Sequence, residues 1–165
     1  MSTKKNKRVP AAKFEARYGN DSKFTRIHEE LLESEAFLSL TKSQKLLYIY
    51  MKRLYYNGSD KSHPNGDREQ FYFNRALYRD KYKLYTNDES FRKDRDALIE
   101  KGFIICVEDG SNTRSKSIYK FSDMWQNYGT KFFQISPANK TLSMLHKERR
   151  ENSKDSYKKY PCKMS

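Results

Sequence analysis

The stretch that decides the fold is SFRKDRDALIEKGFI, residues 90–104. Leu98 lies seven residues after Phe91, a spacing that places both side chains on one face of a helix. Gly102 follows four residues later, where a glycine commonly ends a helix. An apolar run at 103–107 comes next and predicts a buried strand. The stretch therefore predicts a helix that passes through a glycine turn directly into a strand.

Downstream of this stretch the sequence predicts a β-hairpin. The residues at 109–114 are small, polar or basic, which is typical of a turn. The aromatic and β-branched segment at 118–121 then predicts the returning strand. A short terminal segment follows and ends near Gly129.

A long helix is predicted upstream, from Thr41 to about Tyr56. Thr41 and Gln44 have the S/T-x-x-E/Q spacing of a capping box, in which each residue bonds the backbone of the other. The helix is apolar nearly all round, so we expect it to be largely buried. This pattern fits the core of the domain, and it leaves a dimer interface open.

A strand and one further helix are predicted between the long helix and the deciding stretch. The aromatic segment 70–73 indicates a short strand, and Asn74 is expected to cap a helix over 75–82. A second capping box, Thr86 with Glu89, is expected to start the helix that contains the deciding stretch.

The resulting order is helix, strand, helix, helix, strand, hairpin tip, strand. A helix-turn-helix placed directly before a β-hairpin predicts an α+β fold of the winged helix-turn-helix type, with a three-helix core and a C-terminal hairpin as the wing. We assign this domain to residues 23–130. Residues 1–22 are predicted to be a basic flexible arm, and 131–165 a polar basic tail, disordered or loosely attached.

Charge is distributed unevenly along the chain. The formal net charge is +13 over 165 residues, but residues 1–23 account for +5, 131–165 for +6 and 24–130 for only +2. The basic ends are expected either to grip phosphates without reading sequence or simply to keep the protein soluble. Aromatic residues make up 15% of the chain, which predicts an aromatic-rich core.

Several segments resemble a family of small winged-helix proteins from bacterial plasmids, phages and conjugative elements. Residues 90–104 look like the recognition helix of winged-helix regulators, with its Leu-x-x-x-Gly-Phe-Ile step. The segments FTRIH at 24–28, GFI at 102–104, SIYKFSDMW at 117–125 and YGT at 128–130 extend the resemblance. These proteins are similar to the N-terminal domains of some plasmid replication initiators. The resemblance implies binding at a replication origin or control of the element, although this shorter chain is not expected to initiate replication alone.

The predicted DNA-binding residues follow from helical geometry. With Phe91 at the centre of the buried face, the residues that point away near the helix start are the ones expected to meet base edges. The wing tip and the preceding helix are expected to contact phosphates or the minor groove. An ordinary solvated surface remains the alternative for each set, and the acids on the helix weaken the case for strong DNA binding. The candidates are Ser90, Arg92, Lys93 and Asp96 on the recognition helix, Asn112, Thr113, Arg114 and Lys116 on the wing, and Arg75, Arg79 and Lys83 at the backbone.

Other function classes find no support in the sequence. The three histidines have no ligand-spaced partners, and no phosphate-binding loop or nucleophile elbow occurs, so we expect no enzyme, metal or cofactor. No signal peptide, disulfide pattern or membrane span is apparent, which favours the cytoplasm. The expected partner is double-stranded DNA, with a homodimer and the replication or transcription machinery left open. The competing readings are a protein-docking module and a single-stranded DNA or RNA binder.

Overall fold

The computed structural model describes residues 25–57, 64, 67, 69–113 and 115–159. The predicted arm at 1–22 lies outside this range. The α-helices are α1 (Glu29–Glu33), α2 (Glu35–Leu38), α3 (Lys42–Asn57), α4 (Asp88–Glu100) and α5 (Leu142–Lys159), and the strands are β1 (Gln70–Tyr72), β2 (Ile104–Glu108) and β3 (Ile118–Phe121). A π-helix covers Ala76–Lys81, and 3₁₀ helices cover Met124–Asn127 and Pro137–Asn139.

The three strands form a small antiparallel sheet in the order β1-β3-β2. Phe71 pairs with Tyr119 across β1 and β3, and Cys106 pairs with the same tyrosine from β2. The hairpin predicted from the sequence is therefore present, with its first strand one residue later than expected. The α+β class is confirmed, and this arrangement of helices and sheet is compatible with a winged helix.

The capping box at the start of α3 is confirmed. The Thr41 N–H donates to Gln44 Oε1 at 3.0 Å, and the Gln44 N–H donates to Thr41 Oγ1 at 3.4 Å. The box predicted at Thr86 is wrong, because Asn87 is the cap of α4. Asn87 has an extended backbone, and its side chain accepts from the Ser90 N–H at 2.7 Å, so the helix starts one residue later.

The α-helix predicted over 75–82 is a π-helix instead. The Tyr82 N–H donates to the Leu77 carbonyl at 2.9 Å, a bond that spans five residues rather than four. Asn74 contributes its backbone carbonyl, which accepts from Leu77 and Tyr78. Its side-chain Oδ1 is buried and has no hydrogen-bond partner among the described residues, so the predicted side-chain cap is wrong.

The core is rich in aromatic rings, as predicted. Tyr48 of α3 packs edge-on against Phe103 at 5.2 Å between ring centroids, and Phe103 stacks on Trp125 at 6.2 Å. Phe91 of α4 stacks on Tyr78 of the π-helix at 3.8 Å, with the ring planes 14° apart. These contacts hold both α3 and the π-helix to the deciding stretch itself, through Phe103 near its end and Phe91 near its start.

The prediction of a loosely attached C-terminal tail is wrong for its first half. Thr141 is fully buried and Met144 is 4% exposed, as part of the hydrophobic core. The Leu142 N–H donates to Asp109 Oδ2 at 2.8 Å, and Thr141 Oγ1 donates to Asp96 at 3.0 Å. The start of α5 is therefore fastened to both α4 and the β2–β3 hairpin.

Gly102 joins α4 to β2 in a conformation that other residues resist. Its φ is +76°, and a Cβ there would lie 2.9 Å from backbone atoms of Met124 and Trp125. Gly129 has a similar φ of +78°, but its Cβ would meet only the flexible end of Glu35, at 3.4 Å.

This pair gives a direct test of the close approach at Gly102. Replacing Gly129 with alanine is expected to lower the free energy of unfolding by about 1 kcal/mol through backbone strain alone. Gly102→Ala adds the backbone clash and is expected to lower it by about 3 kcal/mol. Urea denaturation of both variants measures the difference, and equal losses would contradict the packing described here.

Candidate nucleic-acid interface

Helix α4 presents its two faces as the sequence predicts. Phe91 and Leu98 are buried, whereas Ser90, Arg92 and Lys93 are exposed in its first half. The structure thus places these three predicted base-contacting side chains together on the outer surface of α4.

Asp94 turns inward from the same helix and is 8% exposed. Its Oδ1 accepts from Gln44 Nε2 of α3 at 3.2 Å, and its Oδ2 accepts from the Tyr85 hydroxyl at 2.8 Å. Burial, followed by this hydrogen bond, raises the pKa of Tyr85 well above its usual value. Sequence reasoning counted Asp94 only as a negative charge on the helix and missed its role in fixing α4 to α3.

Arg95 is also buried and pairs with a carboxylate. Its guanidinium lies 2.7 Å from Asp96 Oδ1 and donates to the Tyr119 hydroxyl of β3 at 3.4 Å. Because a buried charge is costly unless paired, Arg95 serves to join α4 to the sheet rather than to face solvent.

Asp96 does not occupy the position that the sequence suggested. Both oxygens are engaged within the protein: Oδ1 accepts from Arg95 and Thr141, and Oδ2 accepts from the Ser143 hydroxyl at 2.8 Å. Its predicted role as an outward-facing base contact is therefore corrected, because the start of α5 occupies its carboxylate.

The tip between β2 and β3 is exposed at Asn112, Thr113 and Lys116. Thr113 and Ser115 share a hydrogen bond between their hydroxyls at 2.7 Å, and Lys116 Nζ lies 5.5 Å from the Tyr72 ring. Arg114, the remaining predicted residue of the tip, lies outside the described residues. The hairpin thus carries polar and basic groups at its end, as expected.

The third predicted set lies on and around the π-helix. Arg75 is 59% exposed and forms a long ion pair with Asp88 at 4.0 Å, while Arg79 is half-buried and Lys83 is exposed. Lys83 has a φ of +54°, which marks the turn between the π-helix and α4.

Asp88 also accepts from the Tyr78 hydroxyl at 3.0 Å. Burial first, and then this hydrogen bond, raise the pKa of Tyr78 to about 12.

Asp109 anchors α5 at the tip end of the hairpin, directly after β2. Burial would raise the pKa of its carboxyl, but hydrogen bonds from Ser111 and from the Leu142 N–H outweigh burial and lower the pKa below its usual value. A carboxylate at the start of a helix is also favoured by the helix dipole.

The docking of α5 is therefore expected to depend on acidity. Because the folded-state pKa of Asp109 is depressed, its contribution to stability is present above the unfolded pKa of about 4 and is lost as the pH falls through the folded value. Asp109→Asn is expected to lower the free energy of unfolding by about 1 kcal/mol at pH 7. The melting temperature of the variant should also fall less steeply than that of the wild type below pH 4. Parallel curves over that range would contradict the anchor.

Two findings concern metal binding and thiol reactivity in the described part of the chain. No cluster of three or more His, Cys, Asp or Glu side chains there could hold a metal ion. Burial, followed by the nearby charge of Asp109, raises the pKa of the Cys106 thiol to about 12, so it stays protonated at neutral pH and is a poor nucleophile. Among these residues no helix combines the length and apolarity needed to cross a bilayer.

Comparisons with protein-family models, curated proteins and solved structures found no match to this chain.

Proposed function

We propose that this protein is a winged helix-turn-helix protein that binds double-stranded DNA in a sequence-specific manner. In this proposal the π-helix and α4 form the helix-turn-helix, α4 is the recognition helix, and the β2–β3 hairpin is the wing. The order of the elements and the β1-β3-β2 sheet support this assignment.

The observation that carries the proposal is that the aspartates on α4 accept hydrogen bonds from other parts of the protein. Asp94 and Asp96 accept hydrogen bonds from within the protein, and Asp88 is bonded to Tyr78. Three of the carboxylates that made the helix appear unsuited to DNA are therefore occupied, while Arg92 and Lys93 remain exposed. An exposed arginine near the start of a recognition helix can form a bidentate contact with guanine.

The wing and the π-helix would supply contacts that position the duplex. Asn112, Thr113, Arg114 and Lys116 suit the minor groove or phosphates, and Arg75, Arg79 and Lys83 suit the phosphate backbone. Asp96 is left out of the base-contacting set because α5 occupies it.

The biological role follows only from the family resemblance described above. On that basis we propose a cytoplasmic, non-enzymatic protein that controls replication or transcription of a mobile genetic element and needs no cofactor.

Selection from a pool of randomised duplexes tests the function. The full chain is expected to enrich a defined motif, to bind it less tightly as salt rises, and to be displaced poorly by single-stranded DNA. A palindromic motif would indicate that two copies bind together. Failure to retain any duplex at low salt would refute DNA binding and favour a protein-docking role.

A further inference from the structure

Helix α5 leaves the body of the protein after its first turns. Thr141 and Met144 are buried, whereas Lys147 and all side chains at 149–154 are exposed. The helix nevertheless continues to Lys159. Its outer part thus extends as a polar rod from a fixed base.

One face of that rod is basic and points in a known direction. Ser143, Lys147, Arg150 and Lys154 follow one another at spacings of four, three and four residues, so they line a single face of the helix. Ser143 donates to Asp96 and accepts from Arg95, both on α4. The basic stripe, defined as Lys147, Arg150 and Lys154, therefore lies on the side of α5 that meets the proposed recognition helix.

The charges around the stripe are mixed, because the exposed Glu151 lies one helical turn after Lys147. Glu148, which lies on the neighbouring face, is held by Lys140 at 2.5 Å. Among the described side chains no carboxylate lies within ion-pair distance of the stripe itself. At 1.5 Å per residue the stripe advances about 10 Å from Lys147 to Lys154, enough to follow about three phosphates of one strand.

We propose that the basic stripe of α5 binds the phosphate backbone of the same duplex that α4 reads. This inference rests on the proposed function and adds to it a second, sequence-independent binding element. The bonds from Thr141 and Ser143 to Asp96 set the direction of this element, and the bond to Asp109 fixes its start. The same bonds also have an electrostatic effect. Through them α5 covers the negative charge of Asp96, which would otherwise lie beside the side chains that face the DNA.

Two neighbouring arginines provide a matched test. Arg150 belongs to the stripe, whereas Arg149 is also exposed but points about 100° away around the helix. Arg150→Gln in the full chain is expected to weaken binding to a short duplex of arbitrary sequence about 8-fold in 0.1 M salt, and to reduce the slope of log affinity against log salt by about 0.9. Arg149→Gln is expected to change neither quantity measurably. Fluorescence anisotropy between about 50 and 200 mM salt measures both.

A triple variant strengthens the test and separates it from folding. Lys147→Gln with Arg150→Gln and Lys154→Gln is expected to reduce the salt slope by about 2.7 while leaving the melting temperature and the selected sequence motif unchanged. Equal weakening by Arg149→Gln and Arg150→Gln, or an unchanged slope in the triple variant, overturns this inference and leaves the proposed function standing. Absence of duplex binding by the wild type overturns both.

Discussion

Replacing both Arg92 and Lys93 with alanine is expected to abolish sequence-specific binding of duplex DNA and leave the fold intact. Both side chains are exposed on α4, so their removal opens no cavity. A good base contact contributes about 1–3 kcal/mol of discrimination, so the loss of two corresponds to at least about 30-fold weaker binding of the selected site. Gel shifts with the selected duplex and with a scrambled duplex measure that loss.

The control for this variant removes the same charge elsewhere. Lys42→Ala with Lys131→Ala also changes two exposed cations, which lie outside α4 and the β2–β3 hairpin. It is expected to weaken binding to the selected and scrambled duplexes equally and only slightly. A comparable loss of specificity in both double variants would contradict the role proposed for α4.

The largest loss of stability is expected from Phe91→Ala. Phe91 is 4% exposed, stacks on Tyr78 at 3.8 Å and meets Tyr85 edge-on at 5.8 Å. Deleting a buried phenylalanine ring leaves a cavity and typically lowers the free energy of unfolding by about 3–5 kcal/mol. Since small domains are stable by only about 5–15 kcal/mol, much of the total would be lost.

Phe132 supplies the control for that measurement. It is 66% exposed and contacts Lys131 at 5.2 Å from its ring centroid, so the same substitution there is expected to change stability by less than about 1 kcal/mol. Urea denaturation compares the two variants. A small effect of Phe91→Ala would contradict the stacked contact between α4 and the π-helix.

The features that sequence reasoning predicted correctly depend on neighbouring residues. The cap between Thr41 and Gln44 spans three residues. Gly102 ends α4 through its own positive φ, at the point where the chain enters β2. The outward direction of Arg92 and Lys93 follows from the helical repeat around Phe91. Such local signals are readable without knowledge of the rest of the fold.

The features that it missed depend on distant partners. Asp94 bonds Gln44, 50 positions away, and Asp96 bonds Thr141, 45 positions away. Periodicity assigns a residue to a face of its own helix, but it does not say which side chain from another element meets that face. The attachment of the C-terminal segment is not readable from the sequence for the same reason, because its anchors are polar bonds to the distant Asp96 and Asp109.

The side chain of Gln44 links the start of α3 to the middle of α4. The oxygen of its side-chain amide accepts from the Thr41 N–H at the start of α3, while the nitrogen of the same amide donates to Asp94 in α4. Fraying at the start of α3 would rotate that amide and remove one of the two hydrogen bonds that the buried Asp94 accepts. Opening at the start of α3 is therefore expected to loosen its contact with α4 and to increase amide-hydrogen exchange in both helices.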